Sequence, residues 1–293
     1  MKRRAFLLGA VALTACGTGT PSGDLTIAAG EQGGLYLDFA TLLAAALGPA
    51  LRTTPKATAG SLENLSLLRD RQADLALTLA DTAIGADLRA LGRVYENYFQ
   101  LVVRSDDPAT AVHDLAGRAL SLGARGAGAT VFGERLVTAA ALGDRVDHLP
   151  LAAAAQALAD RRIDAFLWSG GLPTPTLSAL DEEVPIRLLP LADVLTSLRD
   201  RYGRVYEPVS VPAGVYRSTA DIPTVGVANL LVCRPDLPDD IAGAVTRVLV
   251  GRAADLVPDQ ALGTQFLDVR SLIGTTDVPL HPGAAAAYRD LHG

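Results

Sequence analysis

Two glycine-rich stretches carry the clearest chemical signal in the sequence. The first, residues 30–34, contains Gly33 and Gly34, follows an apolar run and leads through Tyr36 into a helical pattern. The first turn of a helix has free N–H groups at the positive end of the helix dipole, so such a stretch can bind an anion. Glycine also lets the backbone approach a ligand closely. The alternative is a tight strand-to-helix turn that binds nothing.

The second glycine-rich stretch, residues 123–128, repeats this arrangement, and both stretches open helical patterns that end in Ala-Ala-Ala-Leu-Gly. Further along, residues 68–77 and 158–167 carry Leu, Asp, Arg, Asp and Leu at the same steps. The sequence therefore predicts two α/β lobes built on one plan, whose facing helix starts form a cleft that closes on a small ligand. In the second stretch, the candidate ligand-binding residues are Gly126, Ala127 and Gly128.

Several side chains near predicted helix starts and strand ends extend this candidate site. Gly60 and Ser61 open a helix, and Ser61 either only caps it or also binds a ligand carboxylate. Asp81 follows a buried strand and is either an ammonium partner or a helix cap. Arg125 is the one cation within either glycine-rich stretch, and it either clamps a carboxylate or lies in solvent. Thr130 either caps its helix or binds the ligand.

Two aromatic residues complete the candidate set. Trp168, the single tryptophan, ends a predicted strand just before Gly170 and packs either against ligand methylenes or in the core. Tyr216 lies in a turn-rich segment and either presents its hydroxyl to the cleft or packs at a hinge.

The composition excludes several classes of function. The net charge of −6 and an aromatic content of 5% argue against nucleic-acid binding. The four histidines are dispersed, so no metal site is expected. The sequence has no nucleophile–base motif, no Walker lysine and no dinucleotide fingerprint. We therefore expect a binding protein without a cofactor, and an enzyme on the same fold is the alternative.

The N-terminus predicts export and lipid anchoring. Residues 1–15 have a basic start and an apolar run too short to span a bilayer, which is typical of a signal peptide. Cys16 follows small residues, as in a lipobox, and residues 16–23 suit a flexible tether. The alternative is a soluble signal peptide with an incidental cysteine, and the twin-arginine and Sec export routes both stay open. Cys233 is then alone and is expected as a small core residue.

The lobes are expected to be discontinuous in the chain. Residues 24–104 and 205–293 form the first lobe, residues 105–204 form the second, and the mature protein is expected to be a monomer.

Seven motifs in order then resemble the TAXI family, the extracytoplasmic solute-binding proteins of tripartite (TRAP) transporters. These motifs are Gly33-Gly34-Leu35-Tyr36, Gly60-Ser61-Leu62-Glu63-Asn64-Leu65, Ala73-Asp74-Leu75-Ala76-Leu77, Asp114-Leu115-Ala116-Gly117-Arg118, the stretch 123–128, Ile163-Asp164-Ala165-Phe166 and Val211-Pro212-Ala213-Gly214-Val215-Tyr216.

The resemblance implies a type II periplasmic-binding-protein fold, with a mixed sheet flanked by helices in each lobe and a hinge of two crossover strands. It adds Asn64 to the candidate binding residues. It also implies a small anionic ligand, with glutamate or glutamine usual, delivered to a membrane permease driven by an ion gradient. An ABC importer or a membrane kinase that reads the bound state is the alternative partner.

The sequence departs from the family pattern at the site itself. Leu79-Ala80-Asp81 stands where Gln-Ser-Asp is usual, Ala127 replaces a serine, and Arg125 replaces a frequent proline. Either the ligand differs from glutamate, or backbone N–H groups do most of the binding.

Overall fold

A computed structural model describes residues 21–259, 261 and 270–292 of the 293-residue chain. The predicted signal peptide, the lipidation site Cys16 and most of the tether lie outside the described residues. Gly23, expected in the tether, instead opens the first strand, where it pairs with Leu51. Within the described residues, no helix combines the length and apolar character needed to cross a bilayer.

Strands and helices alternate along most of the chain, as the pattern of apolar runs predicts. The strands are β1 (Gly23–Ala28), β2 (Leu51–Lys56), β3 (Leu75–Leu79), β4 (Arg89–Arg104), β5 (Leu120–Ser121), β6 (Val146–Asp147), β7 (Ala165–Gly170), β8 (Ile186–Leu189), β9 (Tyr206–Val211) and β10 (Ile222–Cys233). The α-helices are α1 (Leu35–Leu47), α2 (Ser61–Arg69), α3 (Ala80–Ala83), α4 (Gly128–Ala140), α5 (Leu151–Ala159), α6 (Pro175–Glu183), α7 (Ala192–Tyr202), α8 (Asp239–Gly251) and α9 (Pro282–His292). Short 3₁₀ turns lie at Val112–Leu115, Val215–Arg217 and Ala253–Leu256.

In the described part of the chain, the strands form one continuous mixed sheet of ten strands in the order β2-β1-β3-β10-β4-β7-β5-β6, with β8 beside β4 and β9 beside β10. β1 is parallel to β2 and β3, and β5 is parallel to β6 and β7. β10 runs antiparallel to β3 and β4, and β4 runs antiparallel to β7. The parallel strands therefore fall into two groups, joined by two long antiparallel strands.

The long strand β4 changes partner at Tyr98. It pairs with β10 from Arg89 to Tyr98, and with β7 from Tyr98 to Val103. The chain therefore passes from one group of parallel strands to the other within β4 itself. The sequence instead placed this crossover after Arg104, and the lobe boundaries themselves stay a prediction.

The repeat seen in the sequence is a structural repeat. After α2 and after α5, the chain turns through Arg71 and Arg161, which have φ of 57° and 59°. Asp74 then accepts a hydrogen bond from the N–H of Thr26 at 2.8 Å. Asp164 accepts the matching bond from the N–H of Ala119 at 2.9 Å. Each aspartate therefore ties its helix-to-strand turn to the neighbouring parallel strand.

An arginine at the end of each long strand extends this correspondence. Arg234, just beyond β10, donates to the carbonyls of Leu68 and Ala73 at 3.1 and 2.7 Å. Arg104, the last residue of β4, donates to the carbonyls of Leu158 and Ile163 at 3.0 and 3.2 Å. These are equivalent positions in the two copies of the repeat, so each arginine holds the turn between one helix and the following strand.

The core holds the side chain of Cys233, as the sequence predicts. Burial raises the pKa of this thiol to about 12, so it stays protonated and unreactive at neutral pH. Elsewhere, the rings of Phe99 on β4 and Phe132 on α4 stack with centroids 3.6 Å apart. Tyr206 on β9 lies edge-on to Phe132 at 5.3 Å. This aromatic group packs elements of both strand groups together beside the candidate site.

Candidate functional site

One cavity is lined by residues from both strand groups, at the ends of the strands where the glycine-rich stretches lie. It holds about 440 Å³ free of protein atoms, part of it open to solvent, which limits an occupant to a small molecule. The predicted site residues that line it are Gly34, Tyr36, Gly60, Ser61, Ala127, Gly128, Trp168 and Gly170. The two glycine-rich stretches therefore meet at one gap.

The first stretch opens α1 at this cavity. Gly33 turns the backbone with φ of 76°, a conformation that favours glycine, and Gly34 is the N-cap of α1. A Cβ atom on Gly34 would lie 3.5 Å from the ring of Trp168. The first turn of α1, with its free N–H groups, therefore starts at the cavity, next to the indole ring of Trp168.

The second stretch opens α4 directly against the start of α2. A Cβ atom on Gly128 would lie 2.6 Å from Oγ of Ser61, and one on Gly60 would lie 3.4 Å from Cα of Ala127. Gly60 has φ of 124°, which a residue with a side chain rarely adopts. Only glycine at positions 60 and 128 permits this approach, which explains the glycines at both helix starts.

The N-terminus of α2 is occupied by the protein itself. The carbonyl of Gly126 accepts hydrogen bonds from the N–H groups of Leu62 and Glu63 at 2.9 and 3.1 Å. The second glycine-rich stretch therefore takes the place that an anion would take on this helix. The helix starts that remain directed at the cavity are those of α1 and α4.

The sequence left Ser61 either as a helix cap or as a ligand-binding residue, and the structure places it in the cavity lining. It is the first residue of α2, and its hydroxyl accepts a hydrogen bond from the N–H of Leu79 at 3.1 Å. The Tyr36 phenol contacts this hydroxyl and donates to Oδ1 of Asn229. Burial raises the pKa of Tyr36 well above 10, so the phenol stays protonated and can act as a hydrogen-bond donor.

Trp168 belongs to the buried core and also lines the cavity, while contact with a ligand stays a prediction. Its ring lines the cavity, while its Nε1 donates to the hydroxyl of Thr174 at 3.0 Å within the protein. A Cβ atom on Gly170 would lie 2.3 Å from this nitrogen, so the glycine leaves room for the ring. The hydroxyl of Tyr216 accepts from the N–H of Thr174 at 2.6 Å, which uses Tyr216 to hold the turn after β7.

Three other predicted residues lie outside the cavity lining. The Asn64 amide donates to the carbonyl of Leu77 at 2.7 Å and to that of Ala29, and it accepts from Thr58. Thr130 donates to the carbonyl of Ala124 at 2.9 Å, and Arg125 is exposed to solvent. The resemblance placed Asn64 at the ligand, but its side chain braces the strands behind the cavity.

Asp81 is engaged by an arginine and a tyrosine. Its carboxylate accepts from the hydroxyl of Tyr206 at 2.7 Å and from the guanidinium of Arg135 at 3.3 Å. Burial is the main influence on this carboxyl and raises its pKa, against the lowering effects of Tyr206 and Arg135. Asp81 therefore joins α3 to α4 and β9, and it is not among the residues that line the cavity.

Sequence reasoning missed Glu31, which lies within the first glycine-rich stretch and lines the cavity. Its Oε2 accepts a hydrogen bond from the N–H of Leu151, at the start of α5, at 2.9 Å. Burial raises the pKa of Glu31 above its usual value of 4.5, and the bond from Leu151 opposes this. The sequence did contain a signal for Glu31 as a site residue. It is a carboxylate between glycines, and a turn at this place does not require a charged side chain.

Asn97 and Ser169 were also missed, because they lie within β4 and β7, where the sequence alone does not show which side chains face a cavity. The Asn97 side chain is 3% exposed and donates through Nδ2 to the hydroxyl of Ser169 at 3.1 Å. Both residues line the cavity, and Oδ1 of Asn97 finds no hydrogen-bond partner among the described residues. A buried polar atom of this kind points to a ligand, since unpaired buried carbonyls are costly.

The chain belongs to the NMT1-like family, whose model matches residues 27–291. Among solved structures, it is similar to an ancestral arginine-binding protein bound to arginine, at 13% identity over 80% of this chain and 95% of that one, with a TM-score of 0.54.

Two further structures share the arrangement. The substrate-binding protein of an amino acid ABC transporter is 12% identical over 80% of this chain and 96% of that one, with a TM-score of 0.51. A variant of ArgBP from T. maritima is 12% identical over 80% of this chain and 92% of that one, with a TM-score of 0.52. These likenesses show the fold alone, and they confirm the two-lobed periplasmic-binding-protein class predicted from the sequence.

Proposed function

We propose that this chain is an extracytoplasmic solute-binding protein, anchored to the outer face of the cell membrane by lipid on Cys16. It captures a small carboxylate ligand of the acidic amino acid or glutamine type and delivers it to a TRAP permease. The observation that carries this proposal is the cavity in which the starts of α1 and α4, from the two strand groups, meet.

Binding without chemistry explains this arrangement. The ends of α1 and α4 offer N–H groups and the positive ends of two helix dipoles, which suit a carboxylate. Closing the two lobes removes water from around the ligand and brings both helix starts to it. The closed form is then what a membrane partner recognises, since ligand binding shifts the population toward it.

An ABC importer is the second candidate partner. The fold likeness to the substrate-binding protein of an amino acid ABC transporter favours it. The seven motifs that resemble the TAXI family favour the TRAP permease. The TRAP permease and the ABC importer differ in their energy source. Uptake of the ligand into vesicles that contain the membrane subunits encoded beside this chain therefore distinguishes them. Uptake driven by an ion gradient supports the TRAP permease, and uptake that requires ATP supports the importer.

A thermal-shift screen of amino acids and small carboxylates tests the binding function. The protein is the exported chain with Cys16→Ser, which leaves the described residues intact. A ligand at 100 times its dissociation constant adds about 2.7 kcal/mol to the free energy of unfolding. Stabilisation by one compound of this class, without its conversion, is the expected result. Stabilisation by sugars alone, or turnover of the bound compound, contradicts the proposal.

A further inference from the structure

We propose that the cavity selects ligands with a protonated amino group beside a carboxylate, and that Glu31 and Asn97 bind the amino group. This inference rests on the proposed function. Within that ligand class it favours the glutamine type over acidic amino acids, and it extends the class to other zwitterionic amino acids with an uncharged side chain. It makes Glu31 a specificity-determining residue.

The acceptors come from two different elements. Glu31 lies in the loop before α1 and uses one hydrogen-bonding position of its carboxylate for the N–H of Leu151. An ionised carboxylate has about four such positions, so capacity remains for a ligand donor. Asn97 lies on β4, and its Oδ1 is buried without a partner among the described residues. An ammonium group has three donors and can satisfy both.

The charge of the cavity favours the same ligand. Among the described residues that line it, Glu31 is the single charged side chain, and no lysine, arginine or histidine accompanies it. Glu31 is partly buried. Partial burial of a carboxylate without a cation is unfavourable, and a ligand ammonium group reduces that penalty. A ligand with a second carboxylate would place like charges together with no basic residue to balance them.

The remaining lining suits the other parts of such a ligand. Leu35, Leu79 and Trp168 offer apolar surface to a side chain. The starts of α1 and α4 offer N–H groups to the α-carboxylate, while Gly126 already fills the start of α2. Each end of a neutral amino acid thus meets a complementary group.

A matched pair of probes tests the amino-group requirement directly. L-Glutamine and glutaramate differ only in the α-amino group, as do L-leucine and 4-methylpentanoate, and L-phenylalanine and 3-phenylpropanoate. Each pair is titrated calorimetrically into the full exported chain. For the pair whose side chain fits the cavity, we expect the amino acid to bind at least about 100-fold more tightly than its desamino partner. L-Glutamate is expected to bind more weakly than L-glutamine.

The variant Glu31→Gln keeps the acceptor for Leu151 and removes the charge. It is expected to reduce the preference for the amino acid about tenfold or more, while the affinity for the desamino partner stays the same or rises. Glu134→Gln, an exposed carboxylate on α4, is the charge-matched control and is expected to change nothing. The double variant Glu31→Gln/Asn97→Asp restores a carboxylate in the cavity and is expected to recover part of the preference.

The outcomes separate the two proposals. Equal binding of a desamino carboxylate and its amino acid, unchanged in Glu31→Gln, overturns this inference and leaves the solute-binding function standing. Tighter binding of glutamate or glutarate than of glutamine also overturns it. Failure of every amino acid and carboxylate to bind overturns both.

Discussion

The carboxylate of Glu31, which lines the cavity, accepts a hydrogen bond from the backbone N–H of Leu151 at 2.9 Å. Glu31 precedes α1, whereas Leu151 opens α5 in the other copy of the repeat. One side chain therefore connects the two copies of the repeat and is the charged group among the described residues that line the cavity. If Glu31 binds the ligand as proposed, the same residue would link ligand binding to the closure of the lobes.

The first prediction is that ligand affinity depends on the protonation of Glu31. Burial raises the pKa of Glu31 above 4.5, and only the ionised form attracts an ammonium group. Affinity for an amino acid is therefore full above that raised pKa and falls as the pH decreases through it. The phenols of Tyr36 and Tyr95 also line the cavity, but burial raises their pKa values, so they stay neutral.

Titration of the dissociation constant from pH 7.5 to pH 4 measures this dependence. The variant Glu31→Gln should bind weakly but with a flat profile over the same range. An affinity of the unmodified chain that holds or increases toward acid pH contradicts the assignment.

The second prediction concerns the contact between two helix starts. Gly128→Ala places a Cβ atom 2.6 Å from Oγ of Ser61 and 2.7 Å from the Leu79 side chain, so the starts of α2 and α4 must separate. Ligand affinity should fall at least about tenfold, because a displacement of the order of 1 Å disturbs the binding geometry. Gly251→Ala, whose Cβ atom meets nothing within 4 Å, is the matched control. Unchanged affinity of Gly128→Ala would show that this approach is not needed for binding.

The third prediction treats Asn64 as a structural residue. Its amide donates to the carbonyls of Ala29 and Leu77, so Asn64→Ala leaves buried acceptors unpaired. The free energy of unfolding in urea should fall by about 3 kcal/mol. Ser66→Ala on the same helix removes an exposed hydrogen bond to Arg69 and should cost less than about 1 kcal/mol. Loss of ligand affinity in Asn64→Ala, with no loss of stability, would return Asn64 to the binding site.

The fourth prediction concerns the buried pair of Asp81 and Arg135. Arg135→Met leaves the fully buried Asp81 carboxylate with only Tyr206 as a strong partner, and the free energy of unfolding should fall by about 3 kcal/mol. Asp81→Asn/Arg135→Met removes the charge as well and should recover more than half of that loss. Equal stability of the single and double variants would show that an unpaired buried charge is not the cause of the loss, and an unchanged Arg135→Met would show that the ion pair contributes little.

Sequence patterns predicted the fold because each pattern depends only on residues that are close together in the chain. The alternation of apolar runs and glycines marked most strands and helix starts, and the repeated Leu-Asp-Arg-Asp-Leu steps marked the turns at Arg71 and Arg161. Asp74 and Asp164 were visible in that repeat, although their bonds to the neighbouring strands were not. The equivalence of Arg104 and Arg234 was hidden, since it depends on two long strands that lie far apart in the chain.

The site was harder to predict, because the direction of a side chain depends on packing between distant elements. Ser61, Asp81 and Thr130 all have oxygen atoms suited to a ligand, yet each bonds mainly within the protein. Glu31 was overlooked because it stands between glycines, and the glycines alone account for the tight turn at this place. Asn97 was overlooked because β4 carries several polar residues, Glu96 and Gln100 among them, and the sequence does not show which of them faces a cavity.

The strand β10 lies between β3 and β4, although it follows them by more than a hundred residues. A polypeptide cut short before Ile222 would leave β3 and β4 with unpaired edges exposed to other chains. The order of strands in the sheet therefore differs from their order in the chain, and an N-terminal fragment that ends before β10 lacks a central strand of the sheet.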